Sequence, residues 1–64
     1  MMTVEEYRKA ILDYILNARN KDGEPRTDEA TANIFLSSIS DTELEEGMDF
    51  NTPEEVAEMV LEVL

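Results

Sequence analysis

Asn51-Thr52-Pro53-Glu54-Glu55-Val56-Ala57-Glu58-Met59-Val60-Leu61-Glu62-Val63-Leu64 is the stretch that decides the fold class of this chain. Thr52 is an N-cap residue, Pro53 suits the first helical position, and Glu55 stands where its carboxylate can reach back to the cap amide. On a helical wheel Val56, Met59, Val60 and Val63 fill one side, with Ala57, Leu61 and Leu64 at the flanks. Glu54, Glu55, Glu58 and Glu62 occupy about 100° of the other side. The pattern predicts an amphipathic helix over 53–63. Its apolar arc spans about 200°, wider than one helix contact needs. Either the helix wedges between two neighbours, or Leu61 and Leu64 reach a partner chain. The wedge is the preferred expectation, because small bundles bury wide faces.

Immediately upstream, Ser40-x-x-Glu43 resembles another capping box, and Gly47 can end a short helical turn near 41–46. Leu44, Met48 and Phe50 are the expected anchors of this segment. Further back, Thr27 is the candidate cap of a helix over 27–39, with Asp28 and Glu29 favourably placed against its dipole. Ala32, Phe35, Leu36 and Ile39 share its inner face, whereas Ala30 and Ile34 point elsewhere. A strand at 33–39 is the rival reading, but no second strand exists to pair with it. The first helix is expected over 3–21. Thr3 and Glu6 form its capping box, and Val4, Tyr7, Ile11, Tyr14, Ile15 and Ala18 form its core face. Leu12 and Leu16 widen that face, so this helix should touch more than one neighbour. Gly23 and Pro25 mark its end, and 22–26 read as a turn. The expected architecture is therefore all-α: a single domain over 1–64, a small bundle of three main helices with the extra turn near 41–46.

Composition narrows what such a domain does. The chain has 64 residues, no Cys and no His. Disulfides, thiolate metal sites and histidine-dependent catalysis are thereby excluded. No run approaches the ~20 apolar residues of a membrane span. The N-terminus has neither a basic nor an apolar leader region, so a cytoplasmic location is expected.

Charge is distributed unevenly. All five basic residues, Arg8, Lys9, Arg19, Lys21 and Arg26, lie in the first 26 positions, where five acids balance them. The net charge of −11 is thus carried wholly by residues 27–64. Such a field disfavours nucleic acids and anionic membranes as direct partners and favours a basic protein surface.

Not every acid needs a functional reason. Asp28, Glu29, Glu43, Glu54 and Glu55 sit at expected helix N-termini, where negative charge stabilises by about 0.3–1 kcal/mol. Asp41 has a weaker claim to such a role. Glu45, Glu46, Asp49, Glu58 and Glu62 do not share it. Glu45 and Glu46 precede Gly47 at a helix C-terminus, and Glu54, Glu58 and Glu62 repel one another at i, i+4 spacing. These five are the candidate partner-binding residues, and Leu61 and Leu64 the candidate apolar contacts with a partner or second copy. A merely solvated, solubilising face is the competing explanation.

No catalytic, metal-ligating or cofactor-binding set emerges. An EF-hand loop begun at Asp41 has Glu46 where Gly is required and Thr52 where the bidentate Glu belongs. Paired carboxylates need a cleft, and a chain of this size has little room for one of about 300–1,000 Å³. The expected function is therefore non-enzymatic: an interaction module or small inhibitor docking on a basic partner. That partner could be a nucleic-acid-binding protein approached by DNA mimicry. A helical homodimer and a weak divalent-cation binder are the alternatives. Added NaCl or mild acidification should stabilise the fold by relieving repulsion.

Overall fold

The computed structural model describes residues 2–63 of the chain. Its elements are four helices: α1 (Val4–Asn17), α2 (Glu29–Ser37), α3 (Asp41–Gly47) and α4 (Pro53–Val63). The domain is all-α, with no strand among the described residues.

Each helix begins where a side chain can satisfy the first free amides. Thr3 Oγ1 accepts from Glu6 N at 3.1 Å, and Glu6 Oε1 accepts from Thr3 N at 2.9 Å. Thr52 and Glu55 repeat that reciprocal box at the start of α4, at 3.2 and 2.9 Å. Ser40 caps α3 through Glu43 N at 3.2 Å. At α2 the cap is Asp28, which accepts from Thr31 N at 2.7 Å, and not Thr27. A carboxylate is a stronger acceptor for an amide than a hydroxyl, so the start moves by one residue.

The first helix ends at Asn17, short of the expected residue 21, because the next residues find other partners. The Asn17 side chain donates back to Asp13 O at 2.8 Å, and Ala18 turns extended. A narrow loop follows, with an isolated bridge between Arg19 and Pro25. Asn20 Oδ1 accepts from Asp22 N and Glu24 N at 2.9 and 3.0 Å, an Asn-centred turn that competes with helix. Gly23 takes the left-handed conformation at φ 83°, within this loop rather than at a helix end.

The core lies on α1. Tyr7, Ile11 and Ile15 meet Ala32 and Leu36 of α2, Leu44 of α3, and Ala57, Val60 and Leu61 of α4. Each of the other helices packs on α1, and none forms a comparable interface that leaves α1 out. The long first helix is buried along a wide face, as its Leu12 and Leu16 positions implied. The inner face of α2 is also as expected, with Ala32 and Leu36 buried and Ile34 71% exposed.

Two apolar faces differ from expectation. On α4 the buried edge is Ala57, Val60 and Leu61, while Met59 and Val63 stay exposed. This helix packs on one neighbour and is not a wedge between two, so part of its apolar arc, Met59 and Val63, remains outside. On α1, Tyr14 is 47% exposed although its turn neighbours Ile11 and Ile15 are buried.

Arginine ties the helices together at their far ends. Arg8 donates through Nη1 to Leu36 O and through Nη2 to Ile39 O, capping the end of α2. The same Nη2 lies 2.9 Å from Asp41 at the start of α3. Arg19 donates to Leu16 O near the end of α1, and Arg26 to Leu61 O in the last turns of α4, each at 3.3 Å. None of the four helices has a basic residue in its own last turn. The C-terminal carbonyls and negative dipole ends of three helices are thus met by arginines, from distant segments at α2 and α4 and from just beyond the helix at α1.

Candidate functional site

Where α1 and α4 begin, they flank the same surface depression. Thr3, Val4 and Tyr7 line it from α1, Thr52, Pro53 and Glu55 from α4, and Glu45, Met48, Asp49, Phe50 and Asn51 from α3 and its following turn. The groove is open and holds about 720 Å³, so the small chain does form a depression of ligand-binding size. Sequence reasoning missed it because it lies between elements that are distant in the chain.

Local hydrogen bonds fix its floor. Tyr7 is buried, and its hydroxyl donates to Asn51 O at 2.8 Å, joining α1 to the turn before α4. Gly47 O accepts from Phe50 N and Asn51 N at 3.0 and 2.8 Å. This turn holds the Phe50 side chain outward, 83% exposed, whereas Phe50 was expected to anchor the segment inside. Burial pushes the Tyr7 phenol above its ordinary pKa, and the Glu55 carboxylate adds to the effect.

The groove is apolar at its base and acidic at its rim. Met2, Val4, Tyr7, Met48, Phe50 and Pro53 supply apolar surface. Glu45, Asp49 and Glu55 supply carboxylates, and among the described residues no basic side chain lines it. Glu55 is engaged by the α4 cap, which leaves Glu45 and Asp49 with no hydrogen bond or ion pair among the described residues.

The five acids singled out from sequence do not form one patch around this groove. Glu45 and Asp49 line it. Glu58 lines a smaller depression of about 200 Å³ with Tyr14, Asn17, Ala18, Glu54, Ala57 and Leu61. Glu46 and Glu62 are exposed and line neither. Among the described residues the single ion pair within 4.0 Å joins Asp41 to Arg8, which gives Asp41 a structural role. No three acidic side chains among the described residues come together in a way that would hold a metal ion.

Leu61 is only 6% exposed and packs in the core, so it is not available as the partner contact expected of it. Its inward position follows from the tilt of the α4 contact toward Ala57 and Leu61. Leu64, the other expected contact, lies outside the described residues. The apolar side chains that α4 does leave outside are Met59 and Val63, at 49% and 71% exposure.

No helix of the described chain is long and apolar enough to cross a membrane. Comparison with known protein families, curated proteins and solved structures found no match to this chain.

Proposed function

We propose that this protein is a non-enzymatic interaction module, or small inhibitor, whose acidic surface docks on a basic partner protein. The observation that carries the reading is the idleness of Glu45, Glu46, Asp49, Glu58 and Glu62. All five are exposed, and none caps a helix, accepts a hydrogen bond or pairs with a cation among the described residues. The arginines that could have balanced them are occupied at helix ends instead. A one-signed surface left in that state steers oppositely charged partners. A groove beside two of the acids adds apolar surface for affinity.

The test is capture of binding proteins from the native host extract, with a second bait in which the five acids are replaced by Gln or Asn. Basic proteins enriched on the first bait, absent from the second and released by salt support the reading. A captured set indifferent to both salt and the substitutions sinks it. If the captured protein binds nucleic acid, competition by that nucleic acid distinguishes mimicry from docking elsewhere.

One observation favours a homodimer as second reading: Met59 and Val63 stand one turn apart on the outer face of α4. Sedimentation at rising protein concentration decides it, and a constant monomer mass removes it.

A further inference from the structure

Among the described residues Phe50 is the most exposed of the large apolar side chains, and it is not there because its segment is loose. Its amide and that of Asn51 are bonded to Gly47 O, and Asn51 O is tied to Tyr7, so the turn is held from two sides. A Phe kept outward in this way, 83% exposed, forgoes the free energy of burying its ring. Beside it lie Met48, Val4 and Pro53, each partly buried, over the Tyr7 ring. The depression is therefore an apolar trough with an aromatic wall.

Charge selects the occupant. The positive ends of the α1 and α4 dipoles open near the trough, but Glu6 and Glu55 already close both capping boxes. Glu45 and Asp49 remain as unmatched negative charges at its edge, and the lining contains no cation among the described residues. An acidic peptide or a nucleic-acid backbone is repelled here. A volume of about 720 Å³ suits one or two large side chains, not the face of a folded domain.

We propose that this trough seats a short cationic segment of a partner protein, in which one or two large apolar side chains are flanked by lysine or arginine. The apolar side chains pack between Phe50, Met48 and Pro53, and the flanking cations meet Glu45 and Asp49. The proposal rests on the acidic-docking reading above and specifies which part of the partner is held, and where.

The chain has no Trp, so a Trp-bearing peptide reports its own burial by fluorescence. The probe is acetyl-Lys-Lys-Leu-Trp-Lys-Lys-amide, titrated into the full chain at low salt. A saturable blue shift with Kd below about 1 mM is expected. Phe50→Ala, which removes an exposed side chain and should leave the melting curve in place, weakens binding by about fivefold or more. Glu45→Gln with Asp49→Asn weakens it by a similar factor and flattens its salt dependence, about as expected for screened charges. Glu58→Gln with Glu62→Gln leaves it within about twofold, since these acids lie away from the trough.

The failures are separable. Binding that ignores Phe50→Ala but falls with the Glu58 and Glu62 changes overturns the trough and leaves general acidic docking standing. Equal binding of a peptide with serines in place of the lysines overturns the cationic requirement, and acidic docking at this site with it. No binding at millimolar peptide overturns the proposal.

Discussion

Arg8, Arg19 and Arg26 each reach a carbonyl at or near the end of a helix, whereas Glu45, Glu46, Asp49, Glu58 and Glu62 reach nothing within the described chain. Both sets look alike in the sequence, as charges on helix surfaces or in turns. The difference is supply. Helix N-termini can be satisfied locally by Thr, Ser, Asp and Glu, and this chain has many of them. Helix C-termini need donors, and residues after Arg26 offer no basic side chain. The few arginines of the first 26 residues are therefore spent on structure, and the acids beyond the capping positions are left over. The charge asymmetry is thus partly a consequence of how the helices are closed and partly a surplus available for binding.

The contrast between a structural first region and a spare acidic surface breaks most sharply at the core. Ile15→Ala should destabilise by about 2–5 kcal/mol, since Ile15 is fully buried between helices. On a domain of this size that loss removes the cooperative thermal transition, and a near-normal melt would show that α1 is not the packing centre.

Next in size is Arg8. Arg8→Met keeps much of the stem but leaves Ile39 O without its charged donor and Leu36 O with its backbone donors alone, a loss of about 1.5–3 kcal/mol by urea unfolding. Asp41→Asn, which removes only the exposed end of the ion pair, should cost about 1 kcal/mol or less. Equal effects of the two changes would mean that the ion pair matters more than the carbonyl cap.

Tyr7→Phe removes one hydrogen bond to Asn51 and should cost about 1 kcal/mol at neutral pH. It should also change the alkaline limb. The folded phenol titrates above its ordinary value. Its contribution is therefore complete below about pH 10, the ordinary Tyr value, and is lost as pH rises through the folded pKa. Tyr7→Phe should remove that part of the pH dependence. At the acid end the signs reverse. Glu6 and Asp28 are held below their ordinary pKa by their bonds to Thr3 and Thr31. Their contribution is present above the ordinary carboxylate range and lost as pH falls through the depressed values.

The smallest effects belong to the spare acids. Glu58→Lys with Glu62→Lys should raise the melting temperature by about 1–3 °C, from relief of like-charge pairs along α4. Moderate NaCl should raise the melting temperature of the unmodified chain in the same direction. A fall in either experiment would place these carboxylates among the structural groups.

Much of this arrangement was legible in the sequence, and the reasons separate cleanly by range. Thr3–Glu6, Ser40–Glu43 and Thr52–Glu55 are interactions across a single turn, so spacing alone reveals them. The inner faces of α1 and α2 follow from periodicity. The end of α1 was misplaced because Asn17 and Asn20 choose side-chain bonds to the backbone over continued helix, a near-balanced local competition. The α4 face was misjudged because periodicity gives an apolar arc but not which part of it meets α1. That choice exposes Met59 and Val63 and buries Leu61. Arg8 and Arg26 span 28 and 35 residues to their carbonyls, and no local pattern announces them. The groove was missed for the same reason, although an aromatic at position 50, in a short turn between a capped helix and a Thr-Pro helix start, is a signal of an outward side chain.

Because α2, α3 and α4 all rest on α1 and scarcely on one another, no subset of helices that omits α1 retains a core. Opening α1 means opening everything, so its slowest amides should exchange only through global unfolding, while α2 and α3, held by smaller interfaces on α1, can open on their own. A partner seated at the groove, by holding α1, α3 and α4 together, would slow exchange in those helices and leave any local opening of α2 untouched.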